Sequence, residues 1–230
     1  MTKIAREESA PRSPGRPSLP VDRILDTALQ IVDEEGADAL SMRTLAQRLN
    51  SGTATLYRHY ANRAELVEQV VDRVLGEVQL DVDAFKRSSW QEACMRSAHA
   101  TFAVIVRHRN VAPLLAENVP VGPHAMVLRE RLIAVLLANG FPPRLAALAY
   151  ATLARHVVGF ATQLRGNGKV EPDDSKVSAR FRRLARTEFP ATLAVARFLP
   201  VPLEEEFAFG MKLVVTGLEL VLAAGSRAKP

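Results

Sequence analysis

Cysteine is almost missing: Cys94 is the single one in 230 residues, so no intrachain disulfide can staple the chain. Its neighbours Ala93, Ala98 and Phe102 make it a small core residue. Five histidines occur (His59, His99, His108, His124, His156), but none form a His-x-x-x-His pair, which removes the simplest helical metal site. No glycine-rich phosphate loop, nucleophile elbow or Cys–His constellation is present, so an enzyme reading has no motif to rest on. No cofactor is expected. The first ten residues, MTKIAREESA, lack the apolar stretch of a signal peptide, and no apolar run reads as long enough to span a membrane. The expected location is therefore the bacterial cytoplasm.

The most pointed absence is local. Residues 41–60, SMRTLAQRLNSGTATLYRHY, contain no acidic side chain. Met42, Leu45, Ala46 and Leu49 recur at helical spacing and form one apolar seam. Asn50, Ser51 and Gly52 then break the helix, because Asn and Gly tolerate the left-handed backbone of a tight turn. Thr53 is placed to cap a second, shorter helix running to about Tyr60. Its one buried anchor is Leu56; Thr53, Ala54, Thr55, Tyr57, Arg58 and His59 are small, aromatic or basic. So little apolar surface suits the major groove of DNA better than a core. Acids gather just upstream (Asp33, Glu34, Glu35, Asp38), leaving Arg43, Arg48, Arg58 and Arg63 without local neutralisation. The net charge of +5 permits nucleic-acid binding without proving it.

The chain reads as all-α, in three parts. Residues 1–19 form a disordered basic arm, since Pro11, Pro14, Gly15 and Pro17 forbid a helix; it either reaches the minor groove or is an unattached tail. Residues 20–66 form a three-helix helix-turn-helix DNA-binding domain, its first helix running from Pro20 or Val21 to a stop at Gly36. Asn62 with Glu65 makes a capping box for a fourth helix, the mechanical link into residues 67–230, a larger helical domain. Ser89 with Glu92 makes another capping box. Gly210 and Gly217, seven apart on the last helix, allow close helix approach.

On DNA, Arg58 is expected to read a guanine edge through two hydrogen bonds, with Ala54 and the Thr55 methyl against thymine methyls. Tyr57, His59, Arg43 and Arg63 are expected on phosphates, with a hydroxyl contact from Ser41. Thr53 belongs to the same face.

The pattern TLAQRL followed by TATLYRHYANRAEL resembles the DNA-binding domain of TetR-type transcriptional repressors. The resemblance is strong over residues 21–78 and continues more weakly through SWQEACMRSAHATFAVIVRHRN and FPATLAVARFLPVPLEEEFAFGMKLVVTGLELVL, similar to tetracycline-repressor C-terminal helices. Asn50 stands where the family usually has Gly. The resemblance implies a homodimer whose two recognition helices enter successive major grooves about 34–36 Å apart, or a multiple of that, on an inverted-repeat operator. The surplus apolar residues around 145–164 and 207–222 fit such an interface.

The resemblance further implies a cavity for an unidentified small-molecule effector that releases the protein from DNA. Candidate lining groups are Ser97, Thr101, His156 and Gln163. It argues against tetracycline–magnesium: the drug-contacting histidine positions fall on Gln79 and Leu115, and Leu115 cannot ligate a metal. Two other readings remain open at this point, an all-helical enzyme and a helical interaction module that needs no effector.

Overall fold

The computed structural model describes residues 19–117, 119–164 and 174–227, and these are helical with no strand among them. The expected N-terminal arm lies outside the described residues, apart from Leu19.

Helix α1 (Val21–Glu35) buries Ile24, Leu25, Ala28, Ile31 and Val32 on one face and stops at Gly36, whose φ of 97° suits a residue without Cβ. Helices α2 (Met42–Arg48) and α3 (Thr53–Leu56) follow, then α4 (Arg63–Leu75). Asn62 caps α4 by accepting from the Glu65 N–H. The expected box does not close, because the Glu65 carboxylate accepts one residue further back, from the Ala61 N–H at 2.6 Å. Helix α4 is held to α1 by Arg73, which bridges Asp22 (3.1 Å) and Asp26 (2.7 Å).

Helix α5 (Val82–Arg87) leads to α6 (Trp90–Arg107), whose Ser89–Glu92 capping box is complete. Next come α7 (Ala112–Glu117), α8 (Pro123–Ala138) and α9 (Pro143–Ala161). Short helices α10 (Asp174–Arg182) and α11 (Pro190–Val195) precede α12 (Leu203–Arg227). Helix α9 packs on α6, α8 and α12, and α4 touches α1, α6, α7 and α8. One continuous apolar core therefore runs from α1 to α12 through α4.

Phe207 anchors α12, stacked on Phe102 with ring centroids 4.2 Å apart and flanked by the His156 ring. Gly210 permits this approach: a Cβ there would come within 2.5 Å of His156. Gly217 does not share that role, since a Cβ there meets nothing within 4 Å. By length and composition α12 could cross a membrane, contrary to the sequence expectation that no run is long enough. Its Phe207, Met211 and Val215 are nonetheless core residues packed on α6 and α9. Its other side leaves Phe209, Leu213, Leu220 and Val221 exposed, and Leu148 of α9 is exposed as well.

Candidate nucleic-acid interface and effector cavity

Helix α2 starts on Ser41, whose Oγ accepts from the Thr44 N–H at 3.0 Å. It ends in a Schellman motif: the Asn50 N–H donates to the Gln47 carbonyl (3.1 Å) and the Ser51 N–H to the Ala46 carbonyl (2.9 Å). Asn50 takes φ 52°, the left-handed conformation expected of it. The turn therefore closes without the family's usual glycine.

Helix α3 is one turn long, shorter than its pattern suggests; from Tyr57 to Tyr60 the chain continues as hydrogen-bonded turns. Gly52 is its N-cap and no side chain caps it, so the capping role expected of Thr53 is not taken up. Leu56 is fully buried, whereas Thr53, Ala54, Tyr57 and Arg58 are exposed and Thr55 and His59 half-buried. Arg43 on α2 is exposed as well. Neither Arg43 nor Arg58 joins an ion pair among the described residues.

Two arginines behave otherwise. Arg48 pairs with Glu34 (2.8 Å) and Glu35, so acids of α1, distant in sequence, neutralise it; that hydrogen bond lowers the Glu34 pKa and raises that of Arg48. Arg63, expected on phosphate, donates instead to the carbonyls of Leu40 (2.7 Å) and Ala37 (3.2 Å) and stands 3.9 Å from Glu117. Its guanidinium stitches the segment between α1 and α2 to the start of α4.

Two polar clusters tie this unit to the rest. Asp72 of α4, 5% exposed, caps α8 from outside: Oδ1 accepts from the Ala125 N–H (2.9 Å) and Oδ2 from the His124 N–H (3.3 Å), with His124 Nδ1 2.8 Å away. Gly122 makes room for it, as a Cβ there would lie 2.3 Å from the carboxyl carbon. His108, at the end of α6, sits between Asp33 of α1 (2.8 Å) and Glu77 just past α4 (3.1 Å). The Glu77 pKa is lowered: burial works against the charge, but a hydrogen bond from Arg107 and the adjacent His108 outweigh it.

Behind α8 lies a largely apolar cavity of about 110 Å³, lined by residues of α4, α6, α7, α8 and α9. Leu75, Leu115, Leu132 and Leu153 form its walls. Of the four sequence candidates, Ser97 and Thr101 line it, with the Thr101 hydroxyl donating to the Ser97 carbonyl at 2.8 Å. His156 does not; its Nε2 is 3.2 Å from the Phe207 carbonyl and its ring packs at Gly210. Gln163 is exposed and also off the cavity, as is Gln79. Sequence reasoning missed Arg129 and Tyr150, the polar residues that line both the cavity and an adjoining open groove of about 460 Å³. The signal was available: Arg129 interrupts the apolar run of α8, and Tyr150 that of α9.

A Schellman-closed turn carrying an exposed, acid-free helix, set on a helical body with an internal cavity, defines a helix-turn-helix DNA-binding regulator. Residues 24–70 match the family description "Bacterial regulatory proteins, tetR family", and residues 84–222 match "Tetracyclin repressor-like, C-terminal domain". The chain is 28% identical over 217 residues to the transcriptional repressor DrrR1 of Streptomyces coeruleorubidus, covering 90% of this chain and 80% of that one. It is 24% identical to the class G tetracycline repressor of Vibrio anguillarum, covering 87% and 94%. Among solved structures, apo ActR of Streptomyces coelicolor shares 32% identity with a TM-score of 0.80, covering 94% of this chain and 100% of that one. ActR in complex with actinorhodin gives 0.78 at the same identity, covering 89% and 98%. The chain belongs to the TetR family of transcriptional regulators and is not an enzyme.

Proposed function

We propose that this protein is a repressor that holds an inverted-repeat operator as a homodimer and lets go when a small molecule enters the α4–α9 cavity. The observation that carries the DNA half is the exposed, unpaired pair Arg43 and Arg58 around an α3 with a single buried residue. Arg58 is assigned to a base edge, Ala54 and Thr55 to thymine methyls, and Arg43, Tyr57, His59, Ser41 and Thr53 to the backbone and groove wall. Arg63 moves from phosphate contact to a supporting role, given its bonds to Leu40 and Ala37. The DNA-binding unit spans residues 20–66 and the effector unit 67–230, with the boundary inside α4. Its place of action is the cytoplasm, where operator DNA is.

The exposed apolar residues of α12 and Leu148 of α9 support a two-fold contact with a second copy, which also explains an α12 apolar on more sides than its own core uses. Release is a matter of spacing. Helix α4 lines the cavity through Leu75 and holds α8 through Asp72, so a ligand that shifts α8 shifts α4. The recognition helices then lose register with the two grooves. Leu115 in the cavity wall supports an effector other than tetracycline–magnesium.

Selection of binding sites from random duplex DNA tests the reading. An inverted repeat is expected, and Arg58→Ala should weaken binding by about 1–3 kcal/mol while relaxing preference at one position per half-site. Unchanged preference in that variant would remove Arg58 from base reading.

A further inference from the structure

Arg129 is a half-buried cation whose partners are all neutral. Nε donates to the Tyr150 hydroxyl at 3.2 Å, Nη2 to the Pro120 carbonyl at 2.6 Å, and Nη1 lies 2.6 Å from the Met126 sulfur. Its guanidinium carbon sits 5.4 Å from the centre of the Tyr150 ring. Among the described residues no carboxylate comes within ion-pair distance of it. It also lines both the apolar cavity and the adjoining groove, so it stands where the two join. A guanidinium beside apolar walls without a counter-ion is costly, and a carboxylate or sulfonate would bind it strongly through paired, charge-assisted hydrogen bonds.

The geometry points to an organic anion as the ligand class: an apolar, ring-sized body in the cavity, with its acidic group on Arg129. This rests on the cavity being the effector site, as proposed above. The anion would compete with the Pro120 carbonyl for the guanidinium. Pro120, with Val119 and Val121, lines one side of an open groove whose other side is Val67, Glu68 and Val71 of α4. Pairing of Arg129 with a ligand therefore frees the segment that faces the helix carrying the DNA-binding unit. A neutral body of the same shape fills the cavity but leaves that bond in place.

Two dyes of nearly identical shape test this: 8-anilinonaphthalene-1-sulfonate, an anion, and N-phenyl-1-naphthylamine, the same ring system without the sulfonate. Each brightens in an apolar site and can be titrated into the full-length protein. The anionic dye should bind about tenfold tighter than the neutral one. Arg129→Met should erase that preference, bringing the two dyes to equal affinity, and Arg129→Lys should retain part of it. Ala154→Trp, which fills the junction of cavity and groove, should block both dyes. Equal affinity of the two dyes, both blocked by Ala154→Trp, would overturn the anion inference and leave the cavity standing. Dye binding indifferent to Ala154→Trp, or no binding by either dye, would overturn the cavity reading and the anion inference together.

Discussion

Asp72→Ala is the most informative single perturbation of this fold, because one carboxylate serves two helices. In the native protein it accepts from the backbone N–H groups of His124 and Ala125 and meets the His124 ring. These are the second and third residues of α8, whose own N-cap, Gly122, offers no side chain. Truncation removes a helix cap, worth about 1 kcal/mol, and leaves the buried Ala125 N–H without an acceptor, at about 1–3 kcal/mol. These terms overlap, and the His124 ring contact adds little because that side chain is 57% exposed. A loss of about 2–3 kcal/mol results, or roughly 5–10 °C in melting temperature for a chain of this size. Asp72→Asn keeps one acceptor and should lose about half as much. Gly122→Ala should also destabilise, since its Cβ would intrude on the carboxyl group. Combined with Asp72→Ala, the Gly122 change should cost less than it does alone, because the carboxyl group is gone, but not nothing, because the Cβ at position 72 still lies 2.6 Å from the added methyl. Thermal unfolding by circular dichroism, run as this four-member cycle, measures each value. A melting temperature for Asp72→Ala within about 2 °C of the parent, or strict additivity of the pair, would refute the external-cap argument.

Three further outcomes follow from particular residues. Asn50→Gly should be neutral or mildly stabilising, and Asn50→Ala should cost about 1 kcal/mol, because φ 52° disfavours an ordinary Cβ; urea titration separates them. Glu77 has a folded pKa below its ordinary value, so its contribution is present above the carboxylate range and is lost as pH falls through the folded pKa. Glu77→Gln should therefore be less stable than the parent at neutral pH, the gap closing in acid, as read from melting temperatures across a pH series. Burial pushes the Cys94 thiol up to about 12, so little thiolate exists at pH 7–8, and a thiol reagent should label the native protein far more slowly than the urea-unfolded one even though Cys94 lines the cavity; equal labelling rates would contradict that burial.

What the sequence made legible was local. The α2 seam, the break at Asn50, the stop at Gly36 and the Ser89–Glu92 box each involve residues within a few positions of one another, where periodicity and backbone preference are strong signals. What stayed illegible was contacts between residues far apart in the chain. Arg48 read as unneutralised because Glu34 and Glu35 belong to the preceding helix, and only the turn between α1 and α2 brings them to it. Arg63 read as a phosphate ligand because nothing local announced that the Leu40 and Ala37 carbonyls needed a donor. His156 and Gln163 were chosen as polar residues on an apolar helix, but His156 turns to the Phe207 carbonyl of α12 and Gln163 lies exposed in the turn past the end of α9. Asp72, the residue that joins α4 to α8, lay unmarked inside an apolar run.

The brevity of α3 divides the labour within the DNA-binding unit. Four residues cannot sustain a helix on their own, and only Leu56 ties this turn into the core. The exposed positions around it therefore carry almost no folding duty, while Asn50 and Arg63 carry much. A library randomised at Thr53, Ala54, Tyr57 and Arg58 should consist mostly of folded proteins that differ in the DNA they prefer. New operator preferences are reachable on this scaffold without rebuilding what holds it together.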